Sequence, residues 1–123
     1  MGLIAGILLL IISIAHNIYG EKKQMPGLKN ITTDPIIIGS QRIMIFQGGF
    51  LLTAVAIIQI LVSLHVVALV GIARYFPVAV VVLNFLTALI IALFIHKEIL
   101  KITIPQFIVF TVIIILQFLS LNN

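Results

Sequence analysis

The chain contains no cysteine and little charge of either sign. Without a thiol it cannot form a disulfide, a thiolate metal site or an iron–sulfur cluster, whatever its compartment. Charged residues make up 8% of its 123 positions, whereas an ordinary soluble domain carries about 25%. Hydrophobic residues make up 63%, which is more apolar surface than a chain of this length can bury in water. The composition therefore predicts an integral membrane protein.

Four apolar runs are long enough to cross a bilayer, since a membrane-spanning helix needs about 20 apolar residues. The predicted spans are 3–19, 43–64, 75–95 and 104–121. Residues 20–42, which hold charges, prolines and glycines, are predicted to form the only substantial loop, and 65–74 are apolar enough for either neighbouring helix to extend into them. We therefore expect a single all-α transmembrane domain over 1–123, folded as an antiparallel four-helix bundle.

Basic residues are distributed unevenly between the two sides of this bundle. Arg74 is the one Lys or Arg on the side of the termini, and the other six follow the first and third spans: Lys22, Lys23, Lys29, Arg42, Lys97 and Lys101. The positive-inside rule then predicts a multi-pass protein of the cell membrane with both termini outside the cytoplasm. Such cations are expected to meet anionic lipid headgroups, and no nucleic-acid partner is predicted. The apolar residues 35–38 could lie in the interface or dip partly inward.

Each span carries small or polar residues at helical spacing. Helices in lipid associate through small residues and interhelical hydrogen bonds, because water exclusion does not drive their contact. Gly49, Thr53, Asn84 and Gln117 are predicted to be packing residues of this kind. Gly2 and Gly6 belong to a similar stripe on the first span.

Polar side chains from all four helices are predicted to lie near the cytoplasmic boundary. This group consists of His16, Asn17, Glu21, Arg42, Gln47, His96, Glu98 and Gln106. Two histidines on different helices, His16 and His96, are the minimum for bis-imidazole ligation of haem b, and a histidine with Gln or Arg could bind a quinone carbonyl. The simpler alternative is that His16 bonds a neighbouring helix and His96 is a solvated end residue. Arg42 is expected to pair with Glu21 or Glu98.

Acidic and catalytic groups are missing from the middle of the spans. No Asp, Glu or Lys lies there, which argues against a small proton-driven exporter. No catalytic motif is present, and His16–Glu21 and His96–Glu98 are not spaced to share a helix face. Neither a metal site nor a catalytic activity of its own is predicted.

The first predicted span ends in a His-x-x-x-Gly-Glu-Lys run formed by His16, Gly20, Glu21 and Lys22. This run resembles a group of small uncharacterised prokaryotic four-span membrane proteins whose first helix ends in a similar run with Arg or Lys and whose second begins near an arginine. Arg42 would supply that arginine, although the histidine that often follows it is absent from 43–47. The resemblance implies no activity, but it singles out His16 and Glu21.

Three functions are compatible with these features. The first is an accessory subunit, without catalytic activity, of a larger membrane complex of respiratory or monooxygenase type. The second is a haem- or quinone-binding membrane protein with its site at the cytoplasmic end. The third is a channel or transporter, which would need a polar path through the bundle.

Overall fold

The computed structural model describes residues 1–122 and contains four long helices. They are α1 (Gly2–Lys29), α2 (Pro35–Ser63), α3 (Gly71–Ile95) and α4 (Lys97–Leu121), each long and apolar enough to cross a membrane. Within residues 1–122 there is no β-strand. The prediction of an all-α membrane protein with four helices is confirmed.

Successive helices run in opposite directions. Along the α1–α2 contact, Glu21 pairs with Arg42 near one end and Ser13 meets Thr53 farther along. The α3–α4 pair is also antiparallel, because Arg74 at the start of α3 donates a hydrogen bond to the carbonyl of Leu121 at the end of α4. This arrangement collects six of the seven basic residues at one end of the bundle, here called the basic end, and both chain termini at the other, here called the terminal end.

Most of the segment predicted as a loop, 20–42, is helical. α1 continues past Tyr19 through a π-helical turn (Gly20–Gln24) and a final α-helical turn (Met25–Lys29). α2 begins at Pro35, where the Asp34 carboxylate accepts a hydrogen bond of 2.8 Å from the Ile36 backbone N–H. A capping aspartate followed by proline is a strong helix start, so only 30–34 lie between the two helices.

α2 is longer than the hydrocarbon layer of a bilayer. Its 29 residues would span about 43 Å at 1.5 Å per residue, whereas the hydrocarbon core is about 30 Å thick. The first turns of α2, which include the exposed Ile36 and Ile37, are therefore free to lie at headgroup depth.

The start of α4 also differs from the prediction. A helix that began at 104 would have Thr103 as its N-cap and Pro105 in its first turn. Instead, a 3₁₀ turn (Lys97–Ile99) leads directly into the α-helix Leu100–Leu121, so Pro105 lies inside the helix. The Thr103 hydroxyl instead lies within hydrogen-bonding distance of the Ile99 and Leu100 carbonyls. Because proline has no N–H, the carbonyl one turn before Pro105 loses its helical partner.

Close contact between α1 and α2 depends on glycine. A Cβ atom added at Gly6 would lie 2.7 Å from Ile60 Cγ1 and 3.1 Å from the Ile60 backbone nitrogen. On the side of this contact that is nearer the basic end, all four helices contribute to a buried apolar core layer. The core layer consists of Leu9, Leu52, Val55, Ala56, Val81, Phe110 and Ile113. The core layer lies between the basic and terminal halves of the bundle.

Candidate functional site

A cavity of about 310 Å³ lies between the four helices in the basic half of the bundle. This volume falls at the lower end of the range of about 300 to 1,000 Å³ that is usual for small-molecule sites. The lining residues come from every helix: Ile12, Ala15, His16 and Tyr19 of α1, Gly48 and Leu52 of α2, Asn84 of α3, and Pro105, Gln106, Val109 and Phe110 of α4. Apolar residues predominate among them.

Besides Tyr19, three polar side chains from three different helices line this cavity. His16 belongs to α1, Asn84 to α3 and Gln106 to α4. A neutral imidazole offers one donor and one acceptor nitrogen, and each carboxamide offers both an N–H₂ group and a carbonyl oxygen. The cavity can therefore form hydrogen bonds with carbonyl, hydroxyl or ether groups of a bound molecule.

Helix geometry explains why His16 reaches the cavity. It lies one turn after Ile12 and just before Tyr19, so these three residues share the face of α1 that lines the cavity. On the facing helix, Gly48 has no side chain, and a Cβ atom added there would lie 3.7 Å from His16 Nε2. The missing side chain leaves room beside the imidazole ring.

The cavity has an apolar floor and a mouth on the side of the bundle. Leu52 and Phe110 are buried members of the core layer and close it toward the terminal end. Ala15, Tyr19 and Pro105 also line it but are exposed, which places the mouth between α1 and α4. A molecule dissolved in the bilayer could enter through this mouth without crossing the headgroups.

Glu21 and Arg42 form a salt bridge beyond the cavity, at the basic end. Arg42 Nε lies 3.0 Å from Glu21 Oε2, and an Arg42 terminal nitrogen lies 2.6 Å from Glu21 Oε1. The pairing expected with one of two acids is thus made with Glu21, and it joins α1 to α2. Both side chains are 41% exposed, so this pair contributes about 0 to 1 kcal/mol to stability.

Asn17 lies against α2 and not in the cavity. Its carboxamide packs onto Gly49 so closely that a Cβ atom at Gly49 would overlap it. Its Oδ1 atom is buried and has no hydrogen-bond partner within residues 1–122. We interpret Asn17 and Gly49 as a packing contact between the two helices.

Gln47, His96 and Glu98 also lie away from the cavity. Gln47 is exposed on α2. His96 lies between α3 and α4, where its Nδ1 is 3.1 Å from Glu98 Oε1 and its side chain is 58% exposed. The cavity lining therefore contains His16 without His96. Within residues 1–122, no three His, Asp or Glu side chains are grouped so that they could hold a metal ion.

The residues predicted to pack the helices have several different environments. Thr53 Oγ1 lies 2.9 Å from Ser13 Oγ across the α1–α2 contact. The Gln117 carboxamide is buried and its Nε2 lies 3.5 Å from Gln59 Oε1. Asn84 lines the cavity, a role that its spacing along the chain did not indicate.

Comparison with known proteins finds no family model, curated protein or solved structure that matches this chain.

Proposed function

We propose that this protein binds a quinone-type molecule, that is, a lipid-soluble ring bearing two carbonyl groups, in the cavity beside His16. The observation that supports the proposal is the combination of apolar walls, three polar side chains and a mouth between α1 and α4. Small-molecule sites are typically mostly apolar with a few placed polar groups, as here.

The polar groups suit a ring with carbonyl oxygens at opposite edges. His16 approaches from α1, whereas Asn84 and Gln106 belong to α3 and α4, so a bound ring could accept hydrogen bonds from two sides. Ile12, Val109 and Phe110 provide apolar contact for the ring. A hydrophobic tail would leave through the mouth into the bilayer.

Haem b is the alternative cofactor at this end of the bundle. Ligation by His16 and His96 would require His96 to leave the Glu98 carboxylate and enter the bundle. The haem macrocycle is also much larger than the cavity. A visible absorption spectrum after gentle detergent extraction separates the two cofactors, because a Soret band lost in His16→Ala would favour haem.

The proposal is tested by equilibrium binding of ubiquinone-1 to the protein in lipid nanodiscs, with empty nanodiscs as the partition control. His16→Ala should raise Kd about 2- to 10-fold, since one hydrogen bond contributes about 0.5 to 1.5 kcal/mol. His96→Ala is the matched control and should leave Kd unchanged, because His96 is outside the cavity. Equal effects of both variants, or no saturable binding, would contradict the proposal.

An accessory subunit remains the second candidate, and Gln47 favours it. This amide is exposed on α2 among Met44, Phe50 and Leu51, so in a bilayer it would face lipid unless another protein covered it. Polar side chains are disfavoured on such a surface and commonly bond a partner helix. Co-purification from the native membrane with mass spectrometry tests this: a partner lost in Gln47→Leu but kept in Met44→Leu supports it, and a protein that always runs alone at its own mass contradicts it.

We also propose that the basic end faces the cytoplasm of the cell and that both termini lie outside. The six Lys and Arg residues at the basic end, against Arg74 at the terminal end, support this orientation. Asn30 begins an Asn-Ile-Thr glycosylation sequon at the basic end, which would be unused in the cytoplasm. Detection of a glycan on Asn30 would show that the basic end faces away from the cytoplasm, which would contradict the proposed orientation.

A further inference from the structure

Two adjoining cavities lie in the terminal half of the bundle, on the far side of the core layer from the His16 cavity. Their volumes are about 160 Å³ and 610 Å³. Gln59, Val62, Leu69 and Ser120 line both of them. We call the two together the terminal vestibule.

Gln117 has an unmet hydrogen-bonding group in this vestibule. Its side chain is 1% exposed and lines the smaller cavity, and Oε1 has no partner among residues 1–122. If the oxygen and nitrogen positions of both carboxamides were exchanged, Gln59 would donate to Gln117 Oε1. The Gln117 N–H₂ group would then lack a partner instead. A buried polar group without a partner costs about 1 to 3 kcal/mol, so we expect a bound molecule in the cavity to supply one.

Among the residues that line the vestibule, Arg74 carries the one permanent side-chain charge. All three acidic residues, Glu21, Asp34 and Glu98, lie at the basic end. Arg74 lines the smaller cavity, donates to the Leu121 carbonyl and lies 5.3 Å from the centre of the Tyr75 ring. A guanidinium group has five N–H donors in a fork that matches phosphate and carboxylate, so one carbonyl uses only part of its capacity.

We propose that the terminal vestibule binds a small phosphate or carboxylate anion that also carries a hydroxyl or amine group. Arg74 binds the anionic group, and Gln117 forms a hydrogen bond with the hydroxyl or amine. The anion comes either from the aqueous phase or from a lipid headgroup. This site is separate from the quinone site, because the core layer with Leu9 and Phe110 lies between them.

The absence of cysteine makes the site directly testable by thiol labelling. Ser120→Cys places a thiol in the vestibule, and Ile115→Cys places one on the exposed flank of α4 as the control in lipid. In phosphatidylcholine nanodiscs, a membrane-impermeant methanethiosulfonate should label the first variant and not the second. Inorganic phosphate should slow labelling of Ser120→Cys by about threefold or more once its concentration exceeds twice Kd.

Arg74→Gln tests the role assigned to the guanidinium. In the Ser120→Cys background it should abolish protection by phosphate, measured as the ratio of labelling rates with and without the anion. If a lipid headgroup is the ligand, nanodiscs containing phosphatidylglycerol should protect the thiol instead, and Arg74→Gln should remove that protection too. Monodisperse size-exclusion profiles confirm that each variant is folded, and Ser63→Cys provides a second thiol in the larger cavity.

Three results would overturn the proposal. The first is that, in phosphatidylcholine nanodiscs, the thiols of Ser120→Cys and Ser63→Cys are both as unreactive as that of Ile115→Cys. The vestibule would then be closed to water. The second is labelling that neither phosphate nor phosphatidylglycerol slows. The third is protection that persists in Arg74→Gln. None of these results bears on ubiquinone-1 binding, so the two sites are tested independently.

Discussion

Where Ser13 of α1 meets Thr53 of α2, only two hydroxyl hydrogens are available for three hydrogen-bonding contacts. Ser13 Oγ lies 2.8 Å from the Leu10 carbonyl, Thr53 Oγ1 lies 2.9 Å from the Gly49 carbonyl, and the two hydroxyl oxygens are 2.9 Å apart. A hydrogen bond between the helices therefore competes with one to the backbone of either helix. Its net contribution should therefore lie near the average for interhelical hydrogen bonds in membranes, about 0.6 kcal/mol, and well below the maximum of about 1.7 kcal/mol.

Ser13→Ala should accordingly lower the free energy of unfolding by about 0.6 to 1 kcal/mol, close to the average for interhelical hydrogen bonds in membranes. A double-mutant cycle with Thr53→Val, followed by denaturation in mixed micelles, isolates the coupling between the two hydroxyls. A coupling above about 1.2 kcal/mol would contradict the competition described above, because it would be about twice the average for such bonds.

At the same scale, the Glu21–Arg42 pair should contribute little to the free energy of unfolding and should act mainly by orienting α1 against α2. Because both side chains are 41% exposed, Glu21→Gln should cost about 0 to 1 kcal/mol of unfolding free energy. The loss should shrink in high salt, where exposed charges are screened. Lys22→Gln, at the next and exposed position along α1, serves as the charge control. An equal loss in both variants would argue against a specific pair.

At the scale of the helices, the glycines differ sharply in what surrounds them. At Gly6 an added Cβ would meet the Ile60 backbone nitrogen at 3.1 Å and the Ala56 carbonyl oxygen at 3.3 Å, whereas at Gly27 it would meet nothing within 4 Å. Backbone atoms cannot move aside as a side-chain tip can, so a methyl group at Gly6 would push α1 and α2 apart.

Gly6→Ala should therefore lower the unfolding free energy by about 1 to 3 kcal/mol, the usual cost of overpacking. Gly27→Ala is the matched control and should be neutral or stabilising by up to about 1 kcal/mol, since alanine favours helix more than glycine. Thermal or denaturant unfolding of both variants in the same detergent makes the comparison. Equal stability of the two variants would show that the α1–α2 contact is looser than described.

The helices themselves were predictable from the length of the apolar runs, but the end of α1 and the starts of α2 and α4 were not. Pro26, Gly27 and Gly39 are typical of a loop, yet glycine is tolerated in a helix and α1 continues through Pro26 after its π-helical turn. The capping carboxylate of Asp34 starts α2 eight residues before the predicted 43. For α4, a start at 104 would put Pro105 in the first turn, whereas the helix begins before it and loses one backbone hydrogen bond at this proline.

The depth of the site residues in the membrane was predictable from the sequence, but the direction in which each side chain points from its helix was not. Counting residues along each span placed His16 and Gln106 at similar depth, and both line the cavity. The same count grouped them with Gln47 and His96, which the helix rotation and the turn at His96 leave exposed. Asn84 and the gap at Gly48 could not be assigned to the cavity, because rotation about each helix axis depends on packing among all four.

At the scale of the whole molecule, the proposed orientation can be measured with the cysteine-free chain. Gly27→Cys places an exposed thiol at the basic end, and Ala68→Cys places one in the link at the terminal end. In intact cells an impermeant maleimide should label only Ala68→Cys, and in inverted vesicles only Gly27→Cys. The reverse pattern would mean that the uneven distribution of Lys and Arg does not set the topology.

The proposed quinone site is tested most directly by measuring where a bound quinone lies in the bundle. Photolabelling with an azido-ubiquinone in nanodiscs, followed by peptide mapping, should place the label on 12–19 of α1 and 105–110 of α4, and excess ubiquinone-1 should suppress it. His16→Ala should reduce this labelling, and His96→Ala should not. Label spread over the exposed faces of the helices, or label that ubiquinone-1 does not displace, would contradict a quinone site in the cavity beside His16.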